Sequence, residues 1–245
     1  MDWQAKRCVV IGATGGIGSS FAHHLEQQPA TEQLWRLGRR VSPSQTGDDQ
    51  HQSLILDYDR SDTITRAAES IGKTGLLDLV IVATGLLHDK NGMAPEKSLR
   101  DLDSDRLARN FNVNVIGPSL VMKAFLPFMR KDAKSVFALL SARVGSISDN
   151  QLGGWYGYRS AKAALNQMIR TASIEHQRRW PHAIIVGLHP GTVDTPLSKP
   201  FQRNVAEGKL FTAEDSAARM LRVIDKLETK DSGQVFAYDG SLIPA

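Results

Sequence analysis

Seven short apolar runs recur along the chain: 8-CVVIG-12, 34-LWRLG-38, 53-SLILD-57, 77-LDLVIVATG-85, 135-SVFALLS-141, 183-AIIVGLH-189 and 234-QVFAYDG-240. Most are rich in β-branched residues and lack apolar/polar alternation, which is what a parallel strand covered on both faces requires. Between them lie segments with helical spacing at 17–27, 61–71, 103–129, 158–178 and 214–227. Strand alternating with helix dictates βαβ units with right-handed crossovers. The spacing therefore predicts a doubly wound α/β fold, with about seven parallel strands and helices on both faces of the sheet. The 245 residues suffice for one such domain over 1–245, without internal repeats or low-complexity linkers, and 41–52 reads as a polar loop between the second and third strands.

Composition narrows the setting. The chain is 41% apolar and 23% charged, ordinary for a globular protein, and no apolar run is long enough to cross a bilayer, so no membrane partner is expected. The apolar run near the N-terminus is too short for a signal-peptide core. The single cysteine, Cys8, lies inside that run and reads as a buried, inert thiol, which fits a reducing cytoplasm. The net charge is +4 and the pI about 9.2, but the basic residues are scattered or paired, as in Arg39-Arg40 and Arg178-Arg179. That pattern argues for a solvated basic surface or an anionic small ligand and against nucleic acid. No His, Cys or acidic cluster has zinc spacing, so no metal is expected.

The first run passes through 12-GATGGIG-18 directly into a helical segment. Glycines there permit φ > 0 and let backbone N–H groups and a helix N-terminus approach a pyrophosphate with no Cβ in the way. This places a dinucleotide on a Rossmann-type fold, although the spacing is G-x-x-x-G-x-G (Gly12, Gly16, Gly18), with Thr14 where G-x-G-x-x-G has its second glycine. A second phosphate motif is excluded: 72-GKT-74 has Ala67 where a P-loop has its first glycine. At the end of the second run stands 38-GRR-40. An NAD site would hold the ribose with an acidic residue here, whereas arginine suits a 2′-phosphate, so Arg39 favours NADP (NADPH) over NAD.

The stretch 153-GGWYGYRSAKAAL-165 opens the fourth helical segment. Of its two tyrosines only Tyr158 has a lysine four residues on, Lys162, on the same helix face. A phenol with a reference pKa near 10 needs a nearby cation to exchange protons at neutral pH, so the pair is a candidate acid/base.

Taken in order, 12-GATGGIG-18, Asp57, 112-NVNVIGP-118, Ser141, Tyr158 with Lys162, and 190-PGTVDT-195 resemble the short-chain dehydrogenase/reductase family along nearly the whole chain. Within it the segment 141–166 looks most like the carbonyl-reductase and C-factor-like branch. The resemblance implies NADP-dependent hydride transfer between a nicotinamide and a carbonyl or alcohol, with carbonyl reduction the expected direction. Tyr158 would be the acid/base; Lys162 would lower its pKa and hold the nicotinamide ribose; Ser141 would orient the substrate oxygen; Asn114 would anchor a water leading protons to the lysine. Gly12, Thr14, Gly16, Ile17 and Gly18 would cradle the pyrophosphate, and Asp57 would meet the adenine edge. Gly85 would keep close approach to the cofactor, and Pro190, Gly191, Thr192, Val193 and Thr195 would line the nicotinamide amide. The family also implies a homodimer or homotetramer, with 103–129 and 158–178 pairing across an interface, and a mobile lid over 195–210.

The chain departs from the family pattern at two places. The family's N-A-G is 83-ATG-85 here, without the asparagine. Its S-S-x-x-G reads 141-SARVGS-146: counting from the strand favours Ser141, and counting back from Tyr158 leaves Ser146 open. His88 and Asp89 read as a solvated loop, with a substrate contact as the alternative, His189 as a packing or hydrogen-bonding residue, and Arg159 as a surface or interface charge. A cofactor-binding sensor without turnover is the alternative function; the presence of Asn114, Ser141, Tyr158 and Lys162 together speaks against it. An epimerase or dehydratase would carry a larger C-terminal region.

Overall fold

The computed structural model describes residues 2–40, 50–90 and 92–245. In chain order the elements are β1 (Arg7–Ile11), α1 (Gly16–Glu26), β2 (Gln33–Gly38), β3 (His51–Ile55), α2 (Ser61–Gly72), β4 (Leu79–Val82), α3 (Ser104–Phe111), α4 (Gly117–Phe125), β5 (Ser135–Leu140), α5 (Tyr156–Gln177), β6 (Ala183–His189), β7 (Thr192–Val193), β8 (Leu210–Phe211), α6 (Ala213–Lys226) and β9 (Val235–Ala237). The polar loop expected at 41–52 falls mostly outside the described residues; its end, His51 and Gln52, already belongs to β3.

The seven expected strands form one parallel sheet in the order β3-β2-β1-β4-β5-β6-β9. The chain winds from β1 outward to β3, then crosses back to β4 on the other side of β1. Crossovers diverge at that switch point and leave a crevice beyond the C-terminal ends of β1 and β4.

Uniformly apolar strands still sort their residues by period two. Cys8, Val10, Leu79, Ile81, Val136, Ala138, Ile184 and Val186 face one side and pack with Phe21 and Leu25 of α1 and Met220 and Ile224 of α6. Val9, Ile11, Val80, Val82, Phe137, Leu139 and Ile185 face the other and pack with Ile64 of α2, Val121 and Phe125 of α4 and Leu165 and Ile169 of α5. Each such Val, Leu, Ile or Phe contributes about 1.5–3 kcal/mol of burial, which fixes the register of every strand and hence the placement of the residues at the strand ends.

Two departures from the expected elements bear on the crevice. The helix expected over 103–129 is broken into α3, a π turn over Asn112–Ile116, α4, and a 3₁₀ turn over Leu126–Phe128. Two prolines mark the breaks: Pro118 has no N–H to give to the carbonyl of Asn114 four residues back, and Pro127 lies in the 3₁₀ turn. The second departure is the small parallel pair β7·β8, two residues each, too short to leave a periodic pattern. Among the described residues no helix is long and apolar enough to cross a membrane.

Candidate active site

The glycine turn at the end of β1 is built tightly against its neighbours. Gly12 has φ +83°, and a Cβ there would lie 3.0 Å from the main chain of Ala83. A Cβ on Gly18 would lie 2.1 Å from the Gly12 carbonyl oxygen, and one on Gly16 2.8 Å from Cγ2 of Thr195. The N–H groups of Gly12 and Ala13 both donate to Leu37 O, at 2.7 and 3.2 Å, which pins the turn to the end of β2 where Arg39 and Arg40 stand exposed. Among the described residues Arg39 has no ion-pair partner. α1 begins at Gly16 without a side-chain cap or an acidic residue in its first turn, so its free N–H groups and positive end face outward toward Thr14 and Gly15, which are exposed. Asp57, just past β3, accepts from the N–H of Asp59 at 3.1 Å and lies 3.6 Å from Arg60. The 72-GKT-74 stretch closes α2 at its C-terminal end, the wrong pole for a phosphate.

Across the crevice stands the head of α5. Tyr158 and Lys162 share one face, with Lys162 Nζ 5.6 Å from the tyrosine ring centroid and donating to Leu140 O at 2.8 Å. Both residues are buried, yet among the described residues the phenolic oxygen has no hydrogen-bond partner. Burial pushes the phenol's pKa up and pulls the Lys162 amine down to about 7. Burial is the cause for both groups, and the phenol stays protonated at neutral pH.

The structure does not bond either candidate serine to the tyrosine. Ser141 Oγ donates to Asn166 Oδ1 at 2.5 Å. Ser146 Oγ accepts from the N–H of Asp149 at 3.1 Å and donates to Ala245 O at 3.4 Å. The residue of this strand end that shares Tyr158's apolar cluster is Ala142, together with Leu87, and Val144, Trp155, Leu197 and Phe201 pack against them. Alternation along the extended chain sends side chains 141 and 142 to opposite sides, and the Ser141 hydroxyl is engaged by Asn166.

Asn114 is fully buried in the π turn. Its Nδ2 donates to Leu86 O and Asn110 Oδ1, both at 2.8 Å, and its Oδ1 accepts from Leu86 N–H at 3.1 Å. Both amide protons are thus committed, and the side chain steadies the turn after β4 that the missing family asparagine would have held. A Cβ on Gly85 would meet only ordinary contacts, 3.6 Å from Leu197 and 3.7 Å from Asn114, so no protein neighbour demands a glycine there.

The segment after β6 closes the crevice. Pro190 O accepts from Ser216 Oγ of α6 at 2.8 Å; Gly191 has φ +77°; Thr192 and Val193 form β7; Thr195 lies against Gly16. Beyond it a 3₁₀ stretch (Lys199–Asn204) carries Phe201 onto Trp155, ring centroids 5.0 Å apart. His88 is not a solvated loop residue: its Nε2 lies 3.0 Å from Pro196 O and 3.1 Å from Leu197 O, so the Nε2–H form ties the turn after β4 to this segment. His189 packs as expected, but Nδ1 is buried without a partner and burial pulls its pKa to about 4. Arg159 also is more than a surface charge, since its Nε donates to Gly154 O at 3.0 Å and Gly153 O at 3.3 Å. Glu96, which sequence reasoning passed over, is buried at the head of α5; a buried carboxylate in an unpatterned loop leaves no periodic signal. Among the described residues no group of three His, Cys, Asp or Glu side chains is placed to hold a metal ion.

A seven-stranded doubly wound sheet with a glycine turn at its switch point defines a Rossmann-type α/β fold. Residues 6–206 match the short chain dehydrogenase family model, and the chain belongs to that family, oxidoreductases that work with a nicotinamide cofactor. The C-signal of Myxococcus xanthus is 39% identical over 147 residues, covering 60% of this chain and 83% of the relative. The 1-hydroxy-2-glutathionyl-2-methyl-3-butene dehydrogenase of a Rhodococcus species is 30% identical over 246 residues, 96% of this chain and 97% of the relative. The NADPH-bound carbonyl reductase from chicken fatty liver superposes with a TM-score of 0.85 at 25% identity, covering 99% of this chain and 100% of that one. The carbonyl reductase Sniffer of D. melanogaster shares the fold, with a TM-score of 0.82 at 19% identity over 98% of this chain and 100% of that one. These neighbours place the chain in the carbonyl-reductase and C-factor-like branch.

Proposed function

We propose that this protein is an NADP-dependent oxidoreductase that reduces a carbonyl compound to an alcohol, with Tyr158 as the proton donor. The observation that carries the reading is the head of α5: an unpartnered phenol, kept protonated by burial, with a fixed lysine beside it, across the crevice from an uncapped helix N-terminus. A neutral phenol is the form that can give a proton to a carbonyl oxygen.

The residues present fit a nicotinamide dinucleotide. The outward-facing N–H groups of α1, with no acid near them, suit a pyrophosphate cradled by Gly12, Thr14, Gly16, Ile17 and Gly18. Arg39 is proposed to take a 2′-phosphate, Asp57 the adenine edge, and Gly85 to leave room beside the ring. Pro190, Gly191, Thr192, Val193 and Thr195 would take the carboxamide, and Lys162 and Tyr158 the ribose. When bound, the cofactor supplies the hydride.

The protein's own part is then to hold the carbonyl and manage one proton. Tyr158 gives its proton to the substrate oxygen; Lys162, anchored on Leu140 O, stabilises the phenolate left behind. Asn114 is proposed to anchor a water that returns protons to Lys162. Ser141 is proposed to brace β5 on α5 through Asn166, leaving Tyr158 as the hydroxyl that meets the substrate. The cluster of Leu87, Ala142, Val144, Trp155, Leu197 and Phe201 suits a substrate with an apolar part. Exposed Met168 and Ile174 on α5 support pairing of two copies.

The test is a panel of aldehydes, ketones and quinones scored by NADPH consumption, with Tyr158→Phe as control. Loss of one proton donor should lower turnover by about 10²–10⁴-fold while NADPH still binds. A variant as fast as wild type would remove Tyr158 from the chemistry.

A further inference from the structure

We propose that Glu96 is a positioning residue for this site: its buried carboxylate caps α5 from outside the helix at Gly157, and so ties the turn that carries Tyr158 to the loop whose Glu96 main-chain carbonyl holds Trp155. The proposal rests on the reading of Tyr158 given above.

The sequence of α5 leaves its own N-terminus without a cap. Trp155 stands at the cap position, with no side-chain cap bond, and the first turn, Tyr156-Gly157-Tyr158, carries no acid. A helix of 22 residues still begins with free N–H groups and a positive end. Glu96 answers both. Its Oε2 accepts from Gly157 N–H at 3.0 Å, and its main-chain carbonyl accepts from Trp155 N–H at 2.5 Å.

Three further observations show that the surroundings are shaped around this carboxylate. Glu96 is only 6% exposed and no cation pairs with it among the described residues, so the helix terminus is what offsets its desolvation. A Cβ on Gly157 would lie 2.8 Å from Glu96 Oε1, so a glycine is what admits the carboxylate to the helix. Trp155 is held at φ +53°, the one positive-φ residue other than glycine among those described, after Gly153 at +63° and Gly154 at +65°. A bulky residue persists in that conformation only where neighbours over-determine it. Glu96 O and the Arg159 bonds to Gly153 O and Gly154 O are those neighbours.

The consequence for the site follows from where the Trp155 ring goes. It meets the Tyr158 ring edge-on, centroids 6.3 Å apart, and the Phe201 ring at 5.0 Å. Glu96 therefore acts through Trp155 on the wall of the substrate cluster and through Gly157 on the turn that carries the phenol. Without the carboxylate, Gly157 N–H loses its acceptor, and the turn that carries the phenol is no longer tied to the loop whose Glu96 carbonyl holds Trp155.

The experiment compares Glu96→Ala, Glu96→Gln, Gly157→Ala and Tyr158→Phe in the full chain, with NADPH and para-nitrobenzaldehyde as reactants. Misplacement of the donor against the wall in Glu96→Ala should lower kcat/KM by about 10–100-fold, with KM raised, while NADPH affinity at the distant glycine turn stays within about twofold. Glu96→Gln should keep kcat/KM within about threefold, because the amide oxygen can accept the same bond. Gly157→Ala, a change that favours helix and so keeps the chain folded if Glu96→Ala does not, should reproduce the defect, and the double variant should add little to it. Wild-type kcat and KM in both Glu96→Ala and Gly157→Ala, alongside an inactive Tyr158→Phe, would overturn the role of Glu96. An active Tyr158→Phe would instead overturn the reading of the site on which that role rests.

Discussion

Ser141 Oγ donates to Asn166 Oδ1 at 2.5 Å, so the serine's single proton is committed to the flank of α5. Its neighbour Ala142 is the residue in Tyr158's cluster. Ser141→Ala should therefore behave as a stability variant. Leaving Asn166 Oδ1 without its partner should destabilise the fold by about 1–3 kcal/mol, read by denaturant unfolding, with kcat/KM lowered less than about fivefold. A hundredfold loss of kcat/KM in the folded variant would return Ser141 to the reacting oxygen.

The glycines of the first turn differ in what a side chain there would meet. In Gly18→Ala the new methyl meets the Gly12 carbonyl, a backbone atom that cannot step aside, and the expected cost is several kcal/mol, on the order of 3. In Gly16→Ala the methyl meets Cγ2 of Thr195, the end of a rotatable side chain. That variant should unfold within about 1 kcal/mol of wild type yet bind NADPH more weakly, because the methyl crowds the mouth of the helix N-terminus. Equal NADPH affinity in the two folded proteins would show that Gly16 serves packing alone.

On the proposed function, Arg39 takes the 2′-phosphate that distinguishes NADPH from NADH. Arg39→Ala should weaken NADPH binding by about 10–100-fold through loss of a charged hydrogen bond and leave NADH affinity unchanged. Fluorescence titration of both nucleotides checks this, and a parallel loss for the two would assign Arg39 no part in the choice.

Lys162 gives the protein a pH signature. Folded Lys162 titrates near 7, whereas an unfolded lysine titrates near 10.4, so between these values the unfolded chain holds the extra proton. Its contribution to stability is therefore full above about pH 10.4 and is lost as pH falls toward 7. Wild type should gain melting temperature relative to Lys162→Met as pH is raised from 7 to 9.5, by about 2–4 °C per kcal/mol of linkage. Parallel melting curves across that range would place the Lys162 pKa near its ordinary value.

The sheet and the positions of its strands were legible from local pattern, because burial on both faces selects β-branched runs and their separation by helical segments leaves few topologies. The glycine turn and the Tyr158–Lys162 spacing were legible for the same reason: each is set within a short stretch of chain, and local geometry leaves local signatures. Pro118 was a readable warning that the helix over 103–129 breaks, and at Asn114 in particular.

What the tertiary structure decided is every contact made across the crevice. The sequence holds a serine at 141 and another at 146, but which one could face a tyrosine depends on the path of the strand end and on what α5 and the C-terminal segment offer their hydroxyls. The direction of the Tyr158 and Lys162 shifts depends on burial, which the i, i+4 spacing does not contain. Glu96 reaches Gly157 across 61 residues of chain, and His88 reaches Pro196 across 108. Such pairs carry no periodicity, because their partners are chosen by packing at a distance and not by the geometry of a single helix or strand.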